Sequence, residues 1–517
     1  MSKKNYTLLS LLIVTVLLLS ACGTPAASSE EPAANNNESP ASTEAPSDNT
    51  TTEEPYELVV AHFVGDVPAD MAIVEEALNQ LLLKKINATV KLVPLGFGVY
   101  QDQTNLMLTS GENLDLLVTS SGMGFSAKVA SGQLLALDDL LKAHGQGIVD
   151  ALGSEYAYTA KINGQVYGIP SERDFASYTN LTCRADILEK YNIDLTQVKS
   201  MDDIAAVLKP IKDGEPEMAP IMTHETGNSF MVATLASTVD ELGDSFGVLM
   251  NQGQDGTLKV VDMFETPEYA AWLNLFRQWY TEGYVLKDIA TQSDQTKSSL
   301  VKNGKVACYL NRAKPGFDVQ EEAMAAMDLV SQPIADPLAK TGSVANVMWS
   351  IPINSKNPEK AMQFLNLLYT DPEVVNMLDW GIEGTHYVKT SDQVIDYPSG
   401  KDAGNVGYSG FGWMWGNQFI SYVLTTDNPD IWNEMKTFND GAVKSKAMGF
   451  IFDASSVTTE IAAVTNVYEQ YRMGLETGTT DPATELPKFI AALKDAGIDK
   501  IVAEKQKQLD AWLAASQ

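Results

Sequence analysis

Apolar residues along this chain follow two alternating periods. From Leu58 to Ala61 they run without a break, as in a strand covered on both faces. From Met71 they recur at Val74, Leu78 and Leu81, a helical stripe, with Asp66 as its cap and Pro68 near its first turn. Val90 and Leu92 flank Lys91 in a second strand, a further helical segment follows, and Asp115 to Val118 forms a third, buried strand. Later, Asn357-Pro358-Glu359 reads as N-cap, first helical residue and first-turn acid, ahead of a stripe of Ala361, Phe364, Leu365 and Leu368. Asp371-Pro372-Glu373 repeats the device. From about Thr458 the pattern is mostly helical, and its last segment carries Val502, Leu509 and Leu513 on one face. Strands alternating with helices predict an α/β fold with a parallel sheet, whose binding sites lie at the carboxyl ends of the strands. The loop Thr119-Ser120-Ser121-Gly122 is therefore a candidate ligand contact.

The first residues follow a different rule. Lys3 and Lys4 precede an apolar run from Leu8 to Leu19, which Ser20, Ala21 and Cys22 close. This is the layout of a secretory signal, 1–22, and the run is too short to cross a hydrocarbon core of roughly 30 Å as a mature helix. The order Leu-Ser-Ala-Cys resembles the bacterial lipobox, which makes Cys22 the expected lipidation site. Residues 23–55 are Ala, Ser, Thr, Pro, Asn and Glu, too poor in apolar area to offset their ordering entropy, and are expected to form a disordered tether. The remaining length predicts two lobes. The formal charge is −31, and the first 55 residues contribute only seven acids against two lysines. So acidic a surface repels phosphate backbones and anionic headgroups, so nucleic acid is not an expected partner. Cys183 and Cys308 both sit in apolar, strand-like runs, where a buried free thiol is the default; the compartment permits a disulfide.

Motifs for chemistry are sparse. The four histidines, at 62, 144, 224 and 386, are scattered, with no metalloprotease or EF-hand pattern, so no metal is expected. Gly122 to Ala127 matches G-x-G-x-x-A but follows a later strand of the lobe, so no dinucleotide and no other cofactor is expected. Glu172 and Asp174 could be read as a glycosidase pair, which their sequence spacing does not establish; an ion pair with Arg173 or Arg184 accounts for Asp174. Gly410-Phe-Gly-Trp-Met-Trp-Gly-Asn-Gln418 is more specific. If extended, it puts Trp413 and Trp415 on one face, ready to stack on sugar rings, with Asn417 and Gln418 to bond hydroxyls. The alternative is that both indoles are core.

Several segments together resemble the extracellular solute-binding proteins of the maltose-binding class, which serve ATP-binding-cassette sugar importers. They are Asp115 to Thr119 through Ala130 to Leu137; Asn163 to Pro170 with Glu172 and Arg184-Ala-Asp186; Gly304-Lys-Val-Ala307; and Pro358 to Leu378. Gly381 to Tyr387, the Trp413 motif and Ala442 to Leu513 resemble a domain of uncharacterised role in Gram-positive sugar-binding lipoproteins. The resemblance implies a two-lobed periplasmic-binding-protein-like (type II) fold with hinge-crossing strands. The expected N-terminal lobe is 56–172 plus 333–395, and the C-terminal lobe 173–332 plus 396–517. Crossings are expected near Pro170 to Thr179, near Gln332 to Pro337, and between about Lys389 and Asn405. By position, the class's ligand contacts fall on Thr119, Ser120, Ser121 and Glu172. Where maltose binders carry a stacking tryptophan this chain has Arg312-Ala313-Lys314, which points to a branched, modified or partly anionic ligand; Arg312 is either a ligand fork or a structural pair to a carboxylate. The implied protein is a monomeric receptor, not an enzyme. It is held by lipid on the outer face of the cell membrane and delivers a carbohydrate to importer permease subunits by lobe closure. A secreted glycan-cleaving enzyme and a sensing module are the rival readings.

Overall fold

A computed structural model describes residues 54–225, 228–229, 238–291 and 296–515. Cys22 and the segment around it lie outside the described residues. The chain builds two α/β lobes, each around its own sheet.

The first sheet has six strands, in the order Ala88–Gly96, Tyr56–Val64, Leu116–Thr119, Met348–Ser350, Gln165–Pro170, Ala160–Ile162. Tyr56–Val64 runs parallel to both neighbours, with Leu58 opposite Val90 and Val60 opposite Leu92 and Leu116. Its apolar run is sealed on both faces: Leu58, Val60 and Ala61 have no exposed surface. The helix Met71–Ile86 covers it with Met71, Val74, Leu78 and Leu82. Leu82, not Leu81, completes that stripe, and Asp70, not Asp66, precedes the helix. The two proline-led helices form as their caps require. Asn357 accepts from the Lys360 amide (3.1 Å) and Asp371 from that of Glu373 (3.0 Å). Lys85 clamps Asp371 and Glu373 at 2.6 and 2.9 Å, tying the helix Met71–Ile86 to the second of these, Pro372–Trp380.

The second sheet runs Val443–Lys444, Leu338–Ala339, Ala176–Arg184, Val306–Ala313, Ala219–Met222, and Leu329–Pro333 also pairs with Ala176–Arg184. Its antiparallel register sets Cys183 directly opposite Cys308, Cα atoms 4.1 Å apart, and the two are joined by a disulfide. Free thiols were the expectation; the pairing depends on a register between residues 125 positions apart, which spacing cannot reveal. The helices Thr458–Glu476, Pro482–Ala496 and Ile498–Ala515 pack on this lobe through Val464, Leu475, Phe489, Leu493, Ile498 and Ile501. In the last helix Leu509 is buried as expected, whereas Val502 and Leu513 are only half-buried. Lys505 shares the buried face, its Nζ bonded to the carbonyls of Glu241, Asp244 and Gly247 and to the Asp244 carboxylate.

Three segments cross between the lobes. The first leaves Pro170 and enters the second sheet at Ala176. The second is still paired with that sheet at Leu338–Ala339 and joins the first at Met348, later than the expected 332–337. The third comes after the helix Ile431–Gly441, at Val443–Lys444, not between 389 and 405. The correction has a clear cause: Met414 and Trp415 are core residues of the first lobe and hold the chain there. Ala176, Ala339 and Ala442 meet where the crossings converge, small side chains that let three backbones approach. Asn439 fastens the hinge, accepting from the Phe175 and Ala176 amides at 3.0 and 3.2 Å and donating to Arg173 O at 2.7 Å. Among the described residues no helix is long and apolar enough to cross a membrane.

Candidate functional site

Strands Tyr56–Val64 and Ala88–Gly96 end side by side, Val64 opposite Gly96. Phe97 follows at once and is 50% exposed. It stacks on Phe63 (centroids 5.0 Å apart, planes at 17°) and on Trp413 (6.3 Å, 22°), and Trp413 stacks on Phe411 (5.5 Å, 26°). Phe97, Phe411 and Trp413 thus form an aromatic platform at the carboxyl ends of two parallel strands, where binding residues of such sheets are found.

The loop bearing the platform is not extended. Gly412–Met414 is a 3-10 turn, so Trp413 and Trp415 point into different surroundings. Trp413 is half-buried on the platform; Trp415 is 1% exposed and packs against Trp349 (5.4 Å) and His62 (5.1 Å). The shared stacking face expected for the pair is therefore absent, and the faces of Trp415 belong to the core. The glycines have a packing role. A Cβ at Gly410 would meet Leu378 O at 2.2 Å, and one at Gly416, whose φ is +59°, would meet Leu368 O at 2.3 Å.

From the platform a line of charge leads to the second lobe. The Arg173 guanidinium lies 5.6 Å from the Trp413 ring centroid, its Nε donates to Asp174 Oδ1 at 2.6 Å, and Lys314 Nζ meets Asp174 Oδ2 at 2.9 Å. Burial alone would raise the Asp174 carboxyl, but Arg173 and Lys314 hold it below the usual carboxylate range. Asp174 is thus an ion-pair residue, not half of a glycosidase pair. Beyond Lys314, Tyr178, Asn180, Phe317, Ser331, Asn428 and Glu434 line a pocket of about 350 Å³. Asn180 is 1% exposed, and its Oδ1 has no partner among the described residues. Aromatic rings beside amide and hydroxyl groups suit a neutral, hydroxyl-rich ligand.

The other candidate residues are mostly occupied. Thr119 is buried and shares a 2.8 Å hydrogen bond with Ser350 Oγ; Ser120 caps a short turn by accepting from the Gly122 amide at 3.2 Å; Ser121 is half-buried. Asn417 Oδ1 accepts from the Phe419 amide at 2.8 Å, a structural bond. Arg312 is exposed and donates to Ser177 Oγ at 3.0 and 3.2 Å; among the described residues no salt bridge joins it to a carboxylate, although Glu241 lies near enough to feel its charge. Glu172 belongs to the hinge: its amide donates to Gly416 O (2.7 Å) and its carbonyl accepts from the Gln418 amide (3.0 Å). Its side chain is nearly buried, and burial pushes its carboxyl up to about 7, opposed by Lys436. The structure adds Phe97, Phe411, Arg173, Tyr178 and Asn180, none singled out as a ligand contact by the sequence. Phe97, an aromatic between two glycines after a strand, was the one detectable signal. Among the described residues no group of three or more metal-ligating side chains converges.

Residues 77–407 match the model of the bacterial extracellular solute-binding proteins, and residues 446–514 match a domain of unknown function. A carbohydrate ABC transporter substrate-binding protein from Streptococcus pneumoniae serotype 4 is 29% identical over 473 residues, 87% of this chain and 90% of that protein. The crystal structure of an N-glycan transport solute-binding protein from the same species superposes with a TM-score of 0.76 at 27% identity, covering 89% of this chain and all of that one. Its complex with Man5GlcNAc superposes at 0.64. These relatives are binding proteins, not enzymes. With a family match that spans more than half its length and two lobes joined by a three-stranded crossing, the chain belongs to the bacterial extracellular solute-binding proteins.

Proposed function

We propose that this chain is a carbohydrate receptor of an ABC importer, anchored through Cys22 outside the cytoplasmic membrane, that binds a neutral oligosaccharide as a monomer and presents it to the permease by closing its lobes. The observation that carries this reading is the partly exposed platform of Phe97, Phe411 and Trp413, joined through Arg173 and Asp174 to Lys314 on the other lobe. Indole and phenyl faces suit the C–H faces of sugar rings, and a ligand lying along this line touches both lobes. Contacts on both sides are complete only when the lobes approach, so ligand shifts the population toward the closed form. The pneumococcal relative supports the carbohydrate part of this reading, since its structures include complexes with Man1GlcNAc and Man5GlcNAc.

The test is calorimetric titration with Man1GlcNAc, Man5GlcNAc and a panel of neutral and uronate oligosaccharides, followed by small-angle scattering. Binding of at least one neutral glycan with a fall in radius of gyration is expected. Binding of none, or binding with an unchanged radius at saturation, overturns the carbohydrate reading or the closure reading respectively.

A further inference from the structure

The domain of unknown function, 446–514, begins just after the third crossing, and its opening segment, 446–456, touches both lobes. On the first lobe, Ile451 packs against Phe125, Ala160 and Met348. Ser126 Oγ donates to Phe452 O at 3.0 Å. Gly449, at φ +91°, passes so close that a Cβ there would lie 3.2 Å from Thr159 O. Met348 is paired with Thr119, the last residue of its strand, so these contacts sit on the carboxyl edge of the first sheet. That edge also carries the aromatic platform. The platform follows the strands at one end of the sheet order, Ala88–Gly96 and Tyr56–Val64, whereas the segment lies toward the other end, by Met348–Ser350 and Ala160–Ile162.

On the second lobe the same segment is firmly held. Ala447 and Phe450 pack with Leu249, Val260 and Leu509. The Gln508 side chain clamps Asp453: Oε1 accepts from its amide and Nε2 donates to its carbonyl, both at 2.8 Å. Lys505, on the same helix, brings its ammonium 5.2 Å from the Phe452 ring centroid while bonding the loop of Glu241, Asp244 and Gly247. That loop grips the hinge. Glu241 accepts twice from Lys340 Nζ, at 2.6 and 2.8 Å, and Asp240 accepts from the Thr341 amide and hydroxyl at 3.1 and 2.6 Å. Lys340 and Thr341 belong to the second crossing, so the domain is joined to the hinge as well as to the first lobe.

A segment anchored in one lobe and bonded to the other, on the edge where ligand is expected, opposes opening. Separating the lobes there breaks the Ser126 bond and uncovers Ile451 and Phe125. The formal charge of −31 makes self-repulsion the force to be resisted. We infer that the C-terminal domain is an interlobe strap: anchored on the second lobe through Gln508 and Lys505, it reaches the first lobe at Ser126 and sets, before ligand arrives, the share of receptor whose lobes stand close enough to bind. Apparent affinity scales with that share. The inference gives the domain a function beyond carbohydrate recognition, and it rests only on the closure part of the proposed function.

The test uses the full chain and two substitutions on opposite lobes, Ser126→Ala and Gln508→Ala, neither of them in the platform. Without ligand, small-angle scattering should give each variant a larger radius of gyration than wild type. Saturating Man5GlcNAc should bring all three to one value. Titration should show binding weakened about three- to tenfold by either change, the scale of one neutral hydrogen bond. The double variant should bind little worse than either single one, because both changes release the same segment. Where one variant does not fold, the other reads the strap from its own lobe. If the variants keep the wild-type radius without ligand, or differ from it equally with and without ligand, the strap does not set the lobe angle and the inference is overturned, even where melting temperatures fall. A wild type that binds no glycan defeats the carbohydrate reading, and one whose radius ligand leaves unchanged defeats the closure reading; the ligand-free radii decide the strap in either case.

Discussion

Glu172→Gln isolates one buried carboxyl at the hinge. Its side chain has lost nearly all contact with water, no hydrogen bond among the described residues compensates it, and its carboxyl is raised from 4.5 to about 7. The folded chain therefore holds this proton more tightly than the unfolded chain does. Its contribution is fully present below pH 4.5 and is lost as pH rises to about 7. A change of that size corresponds to about 3 kcal/mol, trimmed toward 2 by the solvent that still reaches the group and by Lys436. Asp379 and Asp262, both raised to about 7 by burial, act in the same direction. His62, lowered to about 4 by burial, acts in the opposite one, so its part of the stability grows between pH 4 and 6.5. The difference between variant and wild type cancels all three. Thermal and urea unfolding followed by circular dichroism should give matching stabilities near pH 4. At pH 8 the variant should be more stable by about 2–3 kcal/mol, or about 2–3 °C in a chain this long. A difference that does not grow with pH, or a variant less stable at pH 8, would show that the carboxylate is satisfied in the fold and would refute the reasoning.

Other substitutions separate binding from packing. Trp413→Ala should weaken glycan binding at least several-fold, at about 1 kcal/mol per stacking contact, with little effect on stability; Trp415→Ala should cost roughly 3 to 5 kcal/mol of stability. Titration and melting of both variants check the split, and equal behaviour would contradict it. Replacing Cys183 and Cys308 together by serine should lower stability by roughly 2–5 kcal/mol, with reductant producing a similar loss in the wild type and none in the variant. Cys22→Ala should release the chain into the medium or leave it uncleaved; normal cleavage with unchanged membrane retention would exclude the lipid anchor.

Much of the architecture was legible because it depends on neighbours in sequence. The buried strand from Leu58, the stripe of Met71, Val74 and Leu78, and the proline-led helices after Asn357 and Asp371 are written in local periodicity and capping, which act within a few residues. The length of the chain, with the order of the motifs that resemble the solute-binding proteins, sufficed for a two-lobed fold. What only the tertiary structure decided involves partners far apart in the chain. The disulfide needs the register of two antiparallel strands, and the late third crossing needs Trp415 to have found Trp349. The platform joins Phe97 to Trp413, and the core packs His62 against Trp415; no periodicity links such pairs. Trp413 and Trp415 show the reason. Two residues apart in an extended strand they would share a face, but a 3-10 turn, with Gly410 and Gly416 letting the loop press against neighbouring helices, sends one ring to the surface and the other into the core. Which ring goes where is settled by the packing free energy of distant side chains, and that information is not local.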